Sequence, residues 1–348
     1  MRVALVGVGR WGRNHARVLG ELKRRGVCEE VIVCDMNEEA AKEAVRDYGL
    51  DRYYSDLSEL IAKEHPDAAI IAVPTLHHYE VASKLLPHAD VLIEKPIAAD
   101  LEQARRLIEK ALRYGRVIAV GHIERFNRGV IAVKDEVSKA LKRGDRIVYL
   151  SAQRLGPGPP AGSKQNLGVA HDLLVHDIDI ASYIIGNLPT SVSAISLEEG
   201  GLEVEVIANF LYKGGIISTL RASWRTYPKL KKRTLTVQTM EEIITLDYIL
   251  QTYHIERGLM DNVSNGGYIG IIFSYQAREV VEKRIMPYDL KEPLMDEDEN
   301  FLISVRKGKR PLVSGVEGYV ALKCAIYALK SAKEGKSVKL EWKESFLP

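Results

Sequence analysis

Cysteine is scarce: the 348 residues hold three, Cys28, Cys34 and Cys324. An odd number at wide spacing, with no Cys-x-x-Cys pair, argues against both a disulfide framework and a thiolate zinc site. A reducing, cytoplasmic setting is the expectation. Long apolar runs are also missing, so no segment reads as a membrane span, and Met1-Arg2-Val3-Ala4-Leu5-Val6 is too short for a signal-peptide core. Charge of one sign is lacking as well. Lys plus Arg number 49 against 47 for Asp plus Glu, which leaves no global field to hold nucleic acid or an anionic membrane. No internal repeat or low-complexity tract is visible.

What remains is an ordinary globular balance, 28% charged and 46% hydrophobic, in a chain longer than one core usually organises. Two domains are expected. The first third alternates short Val/Ile/Ala-rich runs with helical patterns. Strands are expected at Arg2–Val8, Val31–Asp35, Ala68–Pro74, Val91–Lys95 and Val117–Gly121, with helices such as Asp56–Lys63 and Asp100–Tyr114 between them. That alternation predicts a doubly wound parallel sheet over residues 1–122.

From residue 123 to 348 the texture changes. A helix over Asn127–Lys142, a strand near Arg146–Leu155, a Gly/Pro loop at Gly156–Pro160 and a helix near Leu167–Ile185 lead into five successive strands. These are Ser191–Leu197, Val204–Tyr212, Ile216–Trp224, Thr234–Thr239 and Ile243–Tyr248. Consecutive strands with short turns predict a second, α+β domain on an open, mostly antiparallel sheet. Helices should cover one face. The other is left for a partner subunit, hence an expected homo-oligomer, a dimer or tetramer. Residues 251–291 carry little pattern.

Gly7-Val8-Gly9-Arg10-Trp11-Gly12 follows an apolar strand and precedes the helical pattern Asn14–Leu22, giving Gly-x-Gly-x-x-Gly in a strand-turn-helix setting. The first glycine permits the tight turn, the second admits a pyrophosphate, and the third lets helix and strand pack closely. Asp35 ends the second strand, where a carboxylate accepts bonds from ribose hydroxyls and would repel a ribose phosphate. The expected cofactor is therefore NAD rather than NADP.

Two further motifs sit at the carboxyl edge of the same sheet. Val73-Pro74-Thr75-Leu76-His77-His78 reads equally as a ligand loop or as a Thr75 helix cap with solvated histidines. In Glu94-Lys95-Pro96 the proline keeps Lys95 extended at a strand end, aiming an ammonium into the cofactor crevice. Beside a cationic nicotinamide such a lysine can join proton transfer.

His171-Asp172-Leu173-Leu174-Val175-His176-Asp177-Ile178-Asp179 opens a helix. On an α-helix Asp172 and His176 share a face, whereas His171 and His176, five apart, do not. A carboxylate beside an imidazole is a common general base. A capped acidic helix start with a core histidine explains the pattern equally well, and Asp177 and Asp179 fit that role. No metal is expected, because two helix ligands lack an obvious third. The basic run Lys229-Leu230-Lys231-Lys232-Arg233 reads by default as a solvated strand edge. Its alternative is contact with a phosphate-bearing substrate.

The glycine turn, Pro74-Thr75-Leu76-His77-His78, Glu94-Lys95-Pro96 and Asp172-Leu173-Leu174-Val175-His176-Asp177 together resemble the Gfo/Idh/MocA oxidoreductases, the glucose-fructose oxidoreductase and inositol dehydrogenase family. The resemblance covers nearly the whole chain. It implies a Rossmann domain, an oligomer-forming α/β domain, and Lys95, Asp172 and His176 as a catalytic trio. It also places Pro74, Thr75, His78 and Glu94 at the cofactor.

Within the family, Gly121-His122-Ile123-Glu124-Arg125-Phe126-Asn127, Arg154-Leu155-Gly156-Pro157 and Leu246-Asp247-Tyr248 resemble UDP-N-acetylglucosamine 3-dehydrogenases. The chain departs from many members at Ile123, Arg128 and Val169-Ala170. The implied activity is NAD-dependent oxidation of a ring secondary hydroxyl, of a nucleotide sugar by preference or of an inositol or free sugar. Lys95, Arg125, Asp172 and His176 are the expected substrate contacts. A glycosidase that uses NAD transiently and a redox-inactive NAD-binding protein are the readings from other classes.

Overall fold

A computed structural model describes residues 1–159, 167–258, 278–284 and 292–347. The chain divides into two compact units. The first is Met1–Phe126 with the described parts of Lys291–Cys324 and Trp342–Pro348, and the second is Asn127–Leu290, so far as described, with Ala325–Glu341. The division expected after residue 122 falls four residues later. More importantly, the C-terminal part is not one continuous domain, because the chain returns to the first unit.

The first unit carries β1 (Arg2–Val6), β2 (Glu30–Cys34), β3 (Arg52–Tyr54), β4 (Ala68–Ile71), β5 (Asp90–Glu94) and β6 (Ile118–Gly121). All pair in parallel, in the order β3-β2-β1-β4-β5-β6. Each strand is a short apolar run because both faces are covered. The helices are α1 (Gly12–Arg24), α2 (Glu38–Tyr48), α3 (Leu57–Glu64), α4 (His78–Leu85) and α5 (Leu101–Tyr114). Asn37, Asp56 and Asp100 cap α2, α3 and α5 by accepting from backbone N–H groups. Strand order reverses between β1 and β4, so the carboxyl ends there form the ligand edge of such a sheet.

The returning segment explains the domain correction. Helix α8 (Pro293–Lys307) buries Leu294, Met295, Phe301 and Leu302 in one cluster with Val18, Leu19 and Leu22 of α1. The apolar face of α1 is thus closed by residues nearly three hundred positions away. Helix α9 (Gly315–Glu334) begins in the first unit, with Gly318 against Val120 of β6, and continues into the second.

The second unit contains α6 (Arg128–Lys142), β7 (Ile147–Leu155), α7 (Val175–Ile185), β8 (Pro189–Glu199), β9 (Leu202–Tyr212), β10 (Ile217–Ser223), β11 (Lys232–Thr239), β12 (Glu242–Asp247), β13 (Thr252–Gly258), β14 (Arg278–Arg284) and β15 (Val338–Lys339). They form one sheet in the order β14-β13-β12-β11-β7-β10-β9-β8-β15. Only β7 with β10 is parallel among its described pairings; the rest are antiparallel. The strand β7, earlier in the chain, inserts between β10 and β11, so those two consecutive strands do not touch. Pro160 and most of 251–291 lie outside the described residues, apart from the two strands β13 and β14.

Helices α6 and α7 pack on one face of this sheet. Along β9 buried and exposed positions alternate from Val206 to Tyr212, the period-two pattern of a strand with one covered face. Ile195, Ile207, Leu211 and Ile217 lie exposed on β8, β9 and β10, with Ile195 opposite Ile207 and Leu211 opposite Ile217. No described helix is long and apolar enough to cross a membrane.

Tight helix packing in the first unit offers a test. A Cβ on Gly20 of α1 would lie 2.4 Å from the Tyr48 carbonyl oxygen at the end of α2. Replacing Gly20 by Ala therefore forces the two helices apart and is expected to cost about 1–3 kcal/mol, read as a lowered urea midpoint of the intact protein.

Candidate active site

The turn after β1 is shaped by contacts that exclude side chains. Gly7 has φ +92°, and a Cβ there would lie 2.8 Å from the Ala72 backbone; on Gly12 it would lie 2.0 Å from the Gly7 carbonyl oxygen. Gly9 differs, because a Cβ there would meet nothing within 4 Å. The first and third glycines thus serve chain packing, and the second faces open space where a pyrophosphate can approach. Helix α1 starts without a side-chain cap, which leaves its N-terminal end suited to phosphate oxygens.

Asp35 Oδ2 accepts from the Val8 N–H at 2.8 Å and Oδ1 from the Asn37 N–H at 2.8 Å. These bonds tie the carboxylate to the glycine turn, and each oxygen keeps lone-pair capacity for ribose hydroxyls. Val8, Gly9, Arg10, Trp11 and Asp35 therefore fit a dinucleotide. The nicotinamide of such a cofactor would supply the hydride acceptor.

At the end of β5 Glu94 is 8% exposed. Its Oε1 accepts from Trp11 Nε1 at 2.6 Å and meets His15 Nε2 at 3.1 Å; Oε2 accepts from the Lys95 N–H at 3.2 Å. Burial is the strongest influence on this carboxyl and raises it. The bond and charge of His15, then the charge of Lys95 and the Trp11 bond, outweigh burial and hold it below the usual range. A side chain on Gly121 of β6 would collide with Glu94, the nearest approach being 2.8 Å. The Lys95–Pro96 peptide is cis. His78, 1% exposed, spans Pro96 O at 2.8 Å and Val73 O at 2.9 Å, and burial lowers its pKa.

In the second unit the helix expected from Leu167 begins with one π turn, Ala170–Leu174, running into α7. The Val175 N–H reaches the Ala170 carbonyl, five residues back. The α-helical face assignment for His171, Asp172 and His176 therefore does not hold across this turn. Asp172 Oδ2 accepts from Trp224 Nε1 at 3.1 Å. Gly158, at φ +74°, lies close enough to Trp224 that a Cβ would stand 3.0 Å from its Cβ, so the Gly/Pro loop backs the indole.

His171 Nδ1 is 3.8 Å from Glu203 Oε1, and that oxygen accepts from the Ala170 N–H at 3.3 Å. Burial works to raise Glu203, and the nearby His171 imidazole leads the influences that hold it low. Gly168 is required there, since a Cβ would come within 2.1 Å of the Glu203 carboxyl carbon. Behind the turn, Arg154 and Asp177 are each 1% exposed and form a buried ion pair, Nη2 to Oδ1 2.9 Å. The Arg154 guanidinium also lies over the Tyr248 ring at 5.3 Å.

Comparison with known proteins decides the family. Residues 1–122 match the oxidoreductase family with an NAD-binding Rossmann fold, GFO/IDH/MocA, and residues 145–242 match the GFO/IDH/MocA C-terminal domain. The chain belongs to the Gfo/Idh/MocA oxidoreductases. It is 27% identical to scyllo-inositol 2-dehydrogenase (NAD(+)) of Bacillus subtilis, over 99% of this chain and 98% of that one. Two solved structures share the fold. UDP-N-acetylglucosamine 3-dehydrogenase of Acidithiobacillus ferrooxidans has a TM-score of 0.78 at 24% identity, covering 96% and 98% of the two chains. Levoglucosan dehydrogenase in complex with NADH and levoglucosan has a TM-score of 0.81 at 19% identity, covering 97% and 99%.

In this Gfo/Idh/MocA chain Glu94 ends β5 with Lys95 directly after it, Asp172 lies in the π turn and His176 in the first turn of α7. Other readings need correction. His77 is exposed but His78 is buried, so the image of two solvated histidines fails; His78 braces the Val73 and Pro96 carbonyls rather than offering a free face. Arg125 is 7% exposed and donates from Nη1 to the Leu312 carbonyl at 3.2 Å, within the first unit. Asp177 does stand in the first turn of α7, as an acidic helix start would, and there it is also paired with Arg154. The basic run is not a strand edge, because it leads into β11, an interior strand between β12 and β7. Sequence reasoning passed over His15, Asp298, Trp224 and Glu203. Only His15 had a local signal, three positions after the last glycine of the turn.

The Arg154–Asp177 pair is open to measurement. Breaking it with Arg154→Met alone should cost about 3–5 kcal/mol, because it strands a buried carboxylate. Adding Asp177→Leu should recover most of that loss in thermal melts; equal instability of single and double variants would contradict the assignment.

Proposed function

We propose that this oxidoreductase uses NAD to oxidise a ring secondary hydroxyl of a sugar, the 3-hydroxyl of a UDP-N-acetyl-hexosamine. The observation that carries the dehydrogenase reading is the preparation of Asp172, whose carboxylate is oriented by an indole N–H at the start of the helix bearing His176. Lys95, directly after the clamped Glu94, completes the trio. NAD is preferred to NADP because Asp35 is held by two backbone N–H groups at the ribose position, where a phosphate would meet a negative charge.

His176 takes the hydroxyl proton, and a dinucleotide held by the glycine turn and Asp35 would supply the acceptor for the carbinol hydride. Lys95 polarises the same oxygen or shares its proton, and Asp172 orients the imidazole or holds a neighbouring hydroxyl. The same chemistry runs with the roles of Lys95 and His176 exchanged.

For the nucleotide sugar, support comes from the Arg154–Tyr248 contact, which joins two stretches that resemble UDP-N-acetylglucosamine 3-dehydrogenases. Exposed Lys229, Lys231 and Lys232 follow Trp224 within eight residues and suit a diphosphate. The second reading is an inositol dehydrogenase, favoured by full-length similarity to the B. subtilis enzyme. We also propose that a second copy of the chain covers the open sheet face through Ile195, Ile207, Leu211 and Ile217.

Single-turnover hydride transfer should fall by about 10²–10⁴-fold in Lys95→Met and in His176→Ala. Near-normal rates in both would overturn the trio. A panel of UDP-sugars, free sugars and inositols, read by NADH formation, assigns the substrate: strong inositol turnover without UDP-sugar activity removes the first choice. Release of aglycone from a chromogenic glycoside without net NADH would instead favour glycosidase chemistry.

A further inference from the structure

His15 is wholly enclosed on α1. Its Nδ1 lies 3.0 Å from both oxygens of Asp298 on α8, and its Nε2 lies 3.1 Å from Glu94 Oε1. A neutral imidazole has one N–H and one lone pair, so between two ionised carboxylates it would set lone pair against lone pair on one side. One extra proton is therefore held among the three groups, which together carry a single negative charge. With that proton on the imidazole, every contact runs from donor to acceptor.

The surroundings favour that placement. Burial is the largest influence on His15 and opposes its charge, but the charge and bond of Asp298, then those of Glu94, raise the imidazole well above its ordinary range. Burial in turn pushes Asp298 up against the pull of His15. Stability alone does not account for such a cluster, since well-packed apolar groups often replace buried ion pairs without loss. What distinguishes it is its address, one residue from Lys95.

We propose that His15 and Asp298 are positioning residues for Lys95: the imidazolium holds Glu94 fixed as a carboxylate, and Glu94, which accepts from the Lys95 N–H and faces its charge, sets the place of Lys95. The inference rests on Lys95 being a catalytic group. The polar and charged groups acting on Glu94 are Trp11 of the glycine turn, His15 of α1, Lys95 at its own strand end and His78 of α4; Asp298 and Glu292 stand behind His15. Gly121 of β6 contributes no side chain.

The sign follows from Glu94. Its pKa is lowered in the native protein, so it is ionised at neutral pH and takes a proton only on acidification. In His15→Gln the strongest opposition to burial is gone, and Glu94 takes up its proton at higher pH. Asp298→Asn acts in the same direction by removing the counter-charge of His15. Both variants are expected to move the acidic limb of the pH profile of single-turnover hydride transfer upward by about one unit or more. A role in packing alone would scale the rate without moving the limb.

Imidazole ¹⁵N spectra of the cofactor-free protein give an independent readout. His15 should keep both nitrogens protonated at about pH 8, beyond an ordinary histidine, and lose that state in Asp298→Asn. Wild-type His15 titrating near its ordinary value would overturn the proposal. So would an unmoved limb in both variants when Lys95→Met is inactive. Near-normal transfer by Lys95→Met would instead remove the reading of Lys95 on which the proposal stands.

Discussion

A carboxylate cannot be buried without donors, and the first unit is organised around meeting that demand at Glu94. An ionised carboxyl taken out of water costs several kcal/mol unless hydrogen bonds and charge replace the solvent. The glycine turn brings Trp11, α1 brings His15, and β5 supplies its own next N–H. On β6 a glycine leaves the space. The return of the chain through α8 belongs to the same account, because it delivers Asp298 to the far side of His15 and closes the apolar face of α1. Glycine turn, β5 strand end and distant helix are thus parts of one electrostatic unit.

Much of this was readable from local pattern. The parallel strands of the first unit are apolar runs bounded by turn residues, and five of six were located from that alone. β3 escaped because it has three residues, two exposed and one half-buried, and so carries no apolar signature. In the second unit the succession of strand runs separated by turn signals located β8 to β12 to within a few residues. It did not reveal that β7 divides β10 from β11, because order in a sheet is set by long-range packing rather than by neighbours in the chain.

The site divided along the same line. Glycines, Asp35, Glu94, Lys95, Asp172 and His176 lie in short motifs, which is why spacing singled them out as candidates. Asp298 lies 283 residues from its imidazole, and Trp224 lies 52 from its carboxylate. No periodicity links such pairs. The face assignment at His171 failed for another reason: spacing arguments assume 3.6 residues per turn, and a π turn occurs at Ala170–Leu174, where that assumption does not apply.

The two segments proposed as catalytic use the same device. In the first unit an indole N–H, from Trp11, meets the carboxylate beside Lys95; in the second an indole N–H, from Trp224, meets Asp172 on the turn before His176. Tryptophan offers a single donor, no acceptor, and no titration in the working range. It can therefore fix the direction of a carboxylate without adding charge that would shift a neighbouring base. A lysine or arginine would bind the same oxygen more strongly but would lower the proton affinity of an adjacent ammonium or imidazole. For groups whose task is to exchange a proton, a neutral and rigid donor orients without disturbing, and charge is then admitted only where it is wanted, through the enclosed His15.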